Sequence, residues 1–128
     1  MNQSVYLATA DRMLTSVIRG ARGAWPRACA WLLRHELEAA MDRYWARVCP
    51  AIGRIRVQRP KLLLLAYYAG PKLAGRASYL WWALSRAGHH HHYELGVTAA
   101  ELTRHRAELL EIVALLDHSE PSKHGKRK

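Results

Sequence analysis

The sequence predicts an all-α protein, a four- to five-helix antiparallel bundle with a disordered basic C-terminal tail. Three observations predict it. Half of the residues are hydrophobic, drawn mainly from Leu, Ala and Trp, with no Phe and few β-branched residues, a mix that favours helix over sheet. The apolar residues recur at spacings of three and four, the period of a helix with one buried face. No run alternates with period two for long enough to argue for a strand. At 128 residues the chain suits one domain with a single core, expected over residues 1–117, followed by a tail over 118–128.

The first stripe is Tyr6, Ala10, Met13 or Leu14, and Val17, ended by Gly20 and Gly23. Pro26 suits the first turn of the next helix, where its missing N–H has no intrahelical partner to lose. The second stripe is Leu33, Leu37, Ala40 or Met41, Tyr44 and Val48, with Cys49-Pro50 as its stop. Ala51 to Arg59 intersperses Arg54, Arg56 and Arg59 with Ile52, Ile55 and Val57, and admits a loop or a short helix. Pro60 suits a helix start, and Lys61 to Ala69 reads as a short helix closed by Gly70-Pro71. A long helix follows, with Leu73, Ala77, Leu80, Leu84, Ala87 and His91 on one stripe. Thr98-Ala99-Ala100-Glu101 is a capping box, in which Thr and Glu satisfy each other's free backbone donors. It opens a last helix with Leu102, His105, Leu109, Ile112 or Val113, and Leu116 on its stripe. From His118 the chain turns polar and Lys-rich, with nothing to pack.

The formal net charge is +10, carried mostly by arginine. Such an excess promotes contact with polyanions: RNA, DNA, an anionic membrane or an acidic protein. High-GC coding also enriches Arg and Ala and gives the same composition without any such role. The first twenty residues carry Asp11, Arg12 and Arg19 and lack an uninterrupted apolar stretch, which predicts no secretory signal. The longest apolar run, Leu62 to Ala69, is too short to span a bilayer. A cytoplasmic protein without stable membrane association is the expectation, with weak anionic-membrane contact through the tail as a minor alternative. Cys29 and Cys49, if joined by one helix, stand roughly 30 Å apart, which excludes an intramolecular disulfide. Neither lies in a CxxC pair, so no zinc or thioredoxin signature is present.

The unusual stretch is Trp81-Trp82-Ala83-Leu84-Ser85-Arg86-Ala87-Gly88-His89-His90-His91-His92-Tyr93-Glu94-Leu95. Arg86 followed by four residues and then His91 matches an Arg-x(4–6)-His pattern, and His92 meets the same spacing. With the T-A-A-E-L helix start beyond it, this region resembles an actinobacterial branch of the HEPN domains, a group of small helical bundles. The resemblance covers roughly the last half of the chain in detail. It implies a homodimer in which motif residues of two protomers meet across a cleft. It also implies RNA as partner, with either metal-independent ribonuclease activity and no cofactor, or a non-catalytic role.

On that resemblance Arg86 is the charge stabiliser and His91, with His92 beside it, the acid/base. RNA cleavage needs a base for the 2′-hydroxyl proton, an acid for the leaving oxygen and a cation for the phosphorane. Residues five apart on an ideal helix diverge by about 140°, so either Gly88 bends the chain or two protomers share the pair. Active relatives often carry Asn, Asp or His after the arginine, where this chain has Ala87. That departure weighs toward a helical module that binds nucleic acid or a protein without cutting.

The plainer readings stand beside these. His91 falls on an apolar stripe and suits a hydrogen-bonded core histidine, as does His105. Four adjacent histidines point about 100° apart and cannot converge on one metal, although His89 and His92 could share a face; no metal is expected. Trp25, Trp31, Trp45, Trp81 and Trp82 are expected to be mostly core. Trp82 lies on the side of Arg86, where it could stack on a base. Lys123, Lys126, Arg127 and Lys128 in the tail complete the candidate nucleic-acid contacts.

Overall fold

The computed structural model describes residues 4–18, 25–88 and 98–119. These form six helices: α1 (Val5–Ile18), α2 (Trp25–Val48), α3 (Pro50–Gly53), α4 (Gln58–Ala69), α5 (Pro71–Gly88) and α6 (Ala99–His118). There is no strand among the described residues, so the all-α bundle is the fold.

Helix α2 is the axis of the structure. Its face at Leu33, Leu37, Ala40, Met41 and Tyr44 is buried, as the spacing predicts. Burying each large side chain contributes on the order of 1.5–3 kcal/mol, so this face dominates the core. Helix α1 runs antiparallel to α2, with the Cys29 thiol donating to the Ala10 carbonyl at 3.9 Å and Tyr6 stacked on His35 at 5.5 Å. Helix α5 is also antiparallel to α2, because Trp81 meets Glu38 while Ser85 meets Arg34. Helix α6 runs parallel to α2, with Arg106 near its start on Asp11 of α1 and Asp117 at its end on Arg43. Helices α2 and α6 touch each other, with α1 and α5 packed on either side of the pair.

Local chemistry sets the element ends. Ser4 Oγ accepts from the Leu7 N–H at 3.0 Å and caps α1. The capping box opens α6 as the sequence predicts. Thr98 Oγ1 accepts from the Glu101 N–H at 3.1 Å, and the Glu101 carboxylate accepts from the Thr98 N–H at 2.9 Å. Gly70 adopts φ +96° between α4 and α5, a backbone conformation that favours glycine, and Pro71 starts α5. The ambiguous Ala51–Arg59 segment resolves into both alternatives, the one-turn helix α3 and then an irregular connection. Helix α4 begins at Gln58, ahead of Pro60, which occupies its first turn.

Some expectations are corrected. Leu7, rather than Tyr6, buries itself at the start of α1. Trp45 is fully buried, but Trp31 and Trp82 are about half exposed and Trp81 is half-buried, so these four are not mostly core, and the Trp25 side chain lies outside what is described. Helix α6 continues to His118, and Arg47 donates to the Leu116 and Ser119 carbonyls at 2.8 and 3.2 Å. The described bundle therefore reaches two residues past Asp117. Among the described residues no helix is long and apolar enough to cross a membrane.

Candidate nucleic-acid interface

Charge is unevenly distributed along the chain. Residues 43–93 contain nine Lys or Arg and no Asp or Glu. Four of these nine find partners on other elements. Arg43 pairs with Asp117 at 3.3 Å, Lys61 with Asp42 at 3.5 Å, and Arg76 with Glu108 and Glu111 at 2.7 and 2.6 Å, while Arg47 donates to backbone carbonyls. The Arg76 guanidinium, hydrogen-bonded to Glu108 first and Glu111 second, is held still more firmly in its charged form. It holds the Glu108 carboxyl below the usual carboxylate range in return. Arg54, Arg56, Arg59, Lys72 and Arg86 have no carboxylate partner among the described residues, and all five are exposed.

Helix α5 carries the site. Its inner side holds Ala74, Ala77, Leu80 and Leu84 in the core, so the 3.6-residue period turns Lys72, Gly75, Tyr79, Trp82 and Arg86 to the outside. Tyr79 is 68% and Trp82 52% exposed. The Arg86 guanidinium lies over the Trp82 ring, 4.9 Å from its centroid, an attraction between a cation and the negative face of the indole. Adjacent tryptophans thus take opposite roles. Trp81 turns inward and its Nε1–H donates to Glu38 Oε2 at 2.8 Å. Trp82, about 100° further round the helix, remains outside.

The seam beneath Arg86 fixes this orientation. Glu38 receives Trp81 and also lies 3.6 Å from Arg34 Nε and 3.5 Å from His35 Nδ1. Arg34 Nη1 donates to Ser85 Oγ at 3.5 Å, next to Arg86 in sequence. His35 is bracketed by Trp31 at 3.9 Å and Tyr6 at 5.5 Å. These contacts tie the C-terminal half of α5 to α2, which leaves Trp82 and Arg86 displayed on a fixed frame.

The arrangement offers a flat aromatic surface, a guanidinium docked against it and further cations without carboxylates. Such a face can stack an unpaired base and pair with phosphate. A groove of about 800 Å³ lies at the other end of α5, lined by Ala69, Leu73 and Leu115 with Lys72 and His118 among its polar residues. Its walls are largely aliphatic.

Of the residues singled out from sequence, Arg86 and Trp82 come together as described. His91, His92, Lys123, Lys126, Arg127 and Lys128 lie outside the described residues, as does the pair His89 and His92. His105 is half-buried on α6, where desolvation lowers its pKa, the nearby Glu101 charge raises it, and Arg104 lowers it further. Tyr79 was not singled out, although its spacing of three and seven to Trp82 and Arg86 already placed it on their face. The partnerless cations could be recognised only once the acidic partners of the others were known. No protein-family model, no curated protein and no solved structure matches this chain, so the chemistry of the site rests on these side chains.

Proposed function

We propose that the chain is an RNA-binding helical protein whose contact surface is the outer face of α5. The observation that carries this reading is the exposed Trp82–Arg86 pair, a cation docked on an aromatic ring with no carboxylate partner among the described residues. Stacking of a base on an aromatic side chain contributes about 1–3 kcal/mol, and each phosphate neutralised adds a salt-dependent increment. Tyr79 extends the aromatic surface by one helical turn, and the basic tail adds further phosphate contacts.

Cleavage belongs to the same proposal as its finer part. Arg86 is exposed and free to stabilise a phosphorane, and His91, three residues beyond the described end of α5, would supply the proton transfers. The reaction attacks phosphorus with the RNA's own 2′-oxygen, leaves a 2′,3′-cyclic phosphate and releases the 5′-oxygen, with one proton taken up and one returned. It needs no metal.

The test uses the full chain, labelled single-stranded RNA and a chelator. Wild type should bind with an affinity that falls steeply with salt, and Trp82→Ala should weaken binding roughly tenfold. If cleavage occurs, Arg86→Ala and His91→Ala should both abolish it while the helical spectrum is unchanged. Equal cleavage by all three proteins points to contamination. Salt-insensitive binding, or none, overturns the reading and favours a protein partner, for which an exposed Tyr–Trp–Arg face is equally suited.

A further inference from the structure

We infer that Arg54, Arg56 and Arg59, on the connection into α4, form a second phosphate-binding zone that continues the path of the RNA held on α5. The inference rests on the RNA-binding reading of the α5 face and extends it to a surface the sequence pattern did not single out.

Three observations lead here. First, these arginines make up three of the six exposed cations in residues 43–93 that have no carboxylate partner among the described residues, and of the six Arg47 alone is held by backbone carbonyls. Three guanidinium groups within six residues repel one another, and the bundle supplies acids to Arg43, Lys61 and Arg76 but not to these. Second, Arg59 stands where the backbone adds to this repulsion. Val57 precedes α4 with no side-chain cap, the first turn holds no acidic residue, and Arg59 sits at this positive end of the helix. A bound anion relieves both costs at once.

Third, the hairpin sets Arg59 at the level of the aromatic residues of α5. Lys61 lies on Asp42, and Trp81 lies on Glu38, one helical turn earlier on α2. Because α5 runs antiparallel to α2, Asp42 is level with the turn of α5 near Ala77. Arg59, two residues before Lys61, is therefore within about one turn of the level of Tyr79 and Trp82. Helices α4 and α5 pack directly against each other, so the start of α4 lies alongside the middle of α5. A single strand whose bases stack on Trp82 and Tyr79 then carries its phosphates across to Arg59 and on to Arg56 and Arg54. Such a strand needs on the order of four nucleotides or more.

The ligand is the phosphodiester backbone of single-stranded RNA. Val57 and Leu63 are 63% and 72% exposed on the same flank, so an anionic lipid surface is the competing occupant.

The experiment measures binding of a labelled twelve-residue oligouridine to the full chain across a salt series, for wild type, Trp82→Ala and the triple variant Arg54→Gln/Arg56→Gln/Arg59→Gln. All three arginines are exposed, and the helical spectrum and melting of the triple variant check that it folds. For three lost phosphate contacts, the slope of log K against log salt should become shallower by about two. Affinity at low salt should fall at least tenfold, while Trp82→Ala weakens binding without changing the slope. A triple variant with wild-type slope and affinity overturns the inference and leaves the α5 reading standing. Wild type that binds no RNA overturns both. Arginine-dependent binding to phosphatidylserine vesicles in that case assigns the patch to lipid.

Discussion

The indole N–H of Trp81 on α5 donates to the carboxylate of Glu38 on α2, 2.8 Å away and 43 residues earlier in the chain. This bond joins the two helices that share the most extensive packing in the bundle, and it separates a tryptophan that holds the frame from the neighbour that faces outward.

Trp81→Phe keeps an aromatic ring in the seam and removes the donor together with part of the indole's bulk. Glu38 retains Arg34 and His35, so the carboxylate is not orphaned. The expected loss is about 1.5 kcal/mol, the lower end for a bond to a charged group because the seam is partly open to water. Urea unfolding should show a lower midpoint with the slope unchanged. An unchanged midpoint would mean that water replaces the indole at no cost.

His105 should make the bundle acid-sensitive. Its pKa is lowered in the folded chain chiefly by burial, so the folded state takes up a proton less readily than the unfolded one. The stability involved is complete above the ordinary histidine value of about 6.5 and is lost as pH falls through the lower folded value. Thermal melts of wild type and His105→Gln at pH 7.5 and 5.5 provide the comparison. Wild type should lose more stability than the variant between the two; equal losses would remove His105 as a cause.

Cys29 and Cys49 should differ in reactivity. Cys29 is fully buried, and desolvation, with a smaller contribution from the Asp11 charge, pushes its thiol up to about 11. At neutral pH it holds almost no thiolate and is shielded from reagent. Cys49 is half-buried just beyond the end of α2. A disulfide reagent should modify Cys49 in the native chain and Cys29 only on unfolding. Rapid native modification of both would show that α1 lifts readily from α2.

The fold was legible because apolar spacing is a property of the chain itself. The stripes of α2, α5 and α6 placed Leu33, Leu37, Leu80, Leu84, Leu109 and Ile112 correctly, since any partner surface would select the same face. What failed depended on the neighbour. Glu36 sits within the buried region of α2 at 5% exposure, with no hydrogen-bond partner for Oε1 among the described residues, and nothing in the spacing announces it. Tryptophan's size suggested core, yet whether Trp81 or Trp82 enters is decided by Glu38 across the seam. The site was partly legible. Arg86 and Trp82 were marked by their four-residue spacing, whereas Arg54, Arg56 and Arg59 read as interruptions until α4 gave them a place.

The parallel pairing of α2 with α6 has a consequence for how the chain finds its fold. The α4–α5 hairpin turns on Gly70 and closes over a few residues, whereas Arg43 and Arg47 meet α6 across 74 and 69 residues of intervening chain. Going from a loop of about ten residues to one of about seventy is nearly three doublings, a closure cost of roughly 2 kcal/mol in chain entropy. The hairpin is therefore cheaper to close than the α2–α6 pair, and α6 reaches α5 over a shorter loop than either reaches α2, with Arg76 and Glu108 only 32 residues apart. The ridge bearing Tyr79, Trp82 and Arg86 thus stands on the part of the bundle with little chain to close, between a neighbour joined by a tight turn and one tied to it across 32 residues.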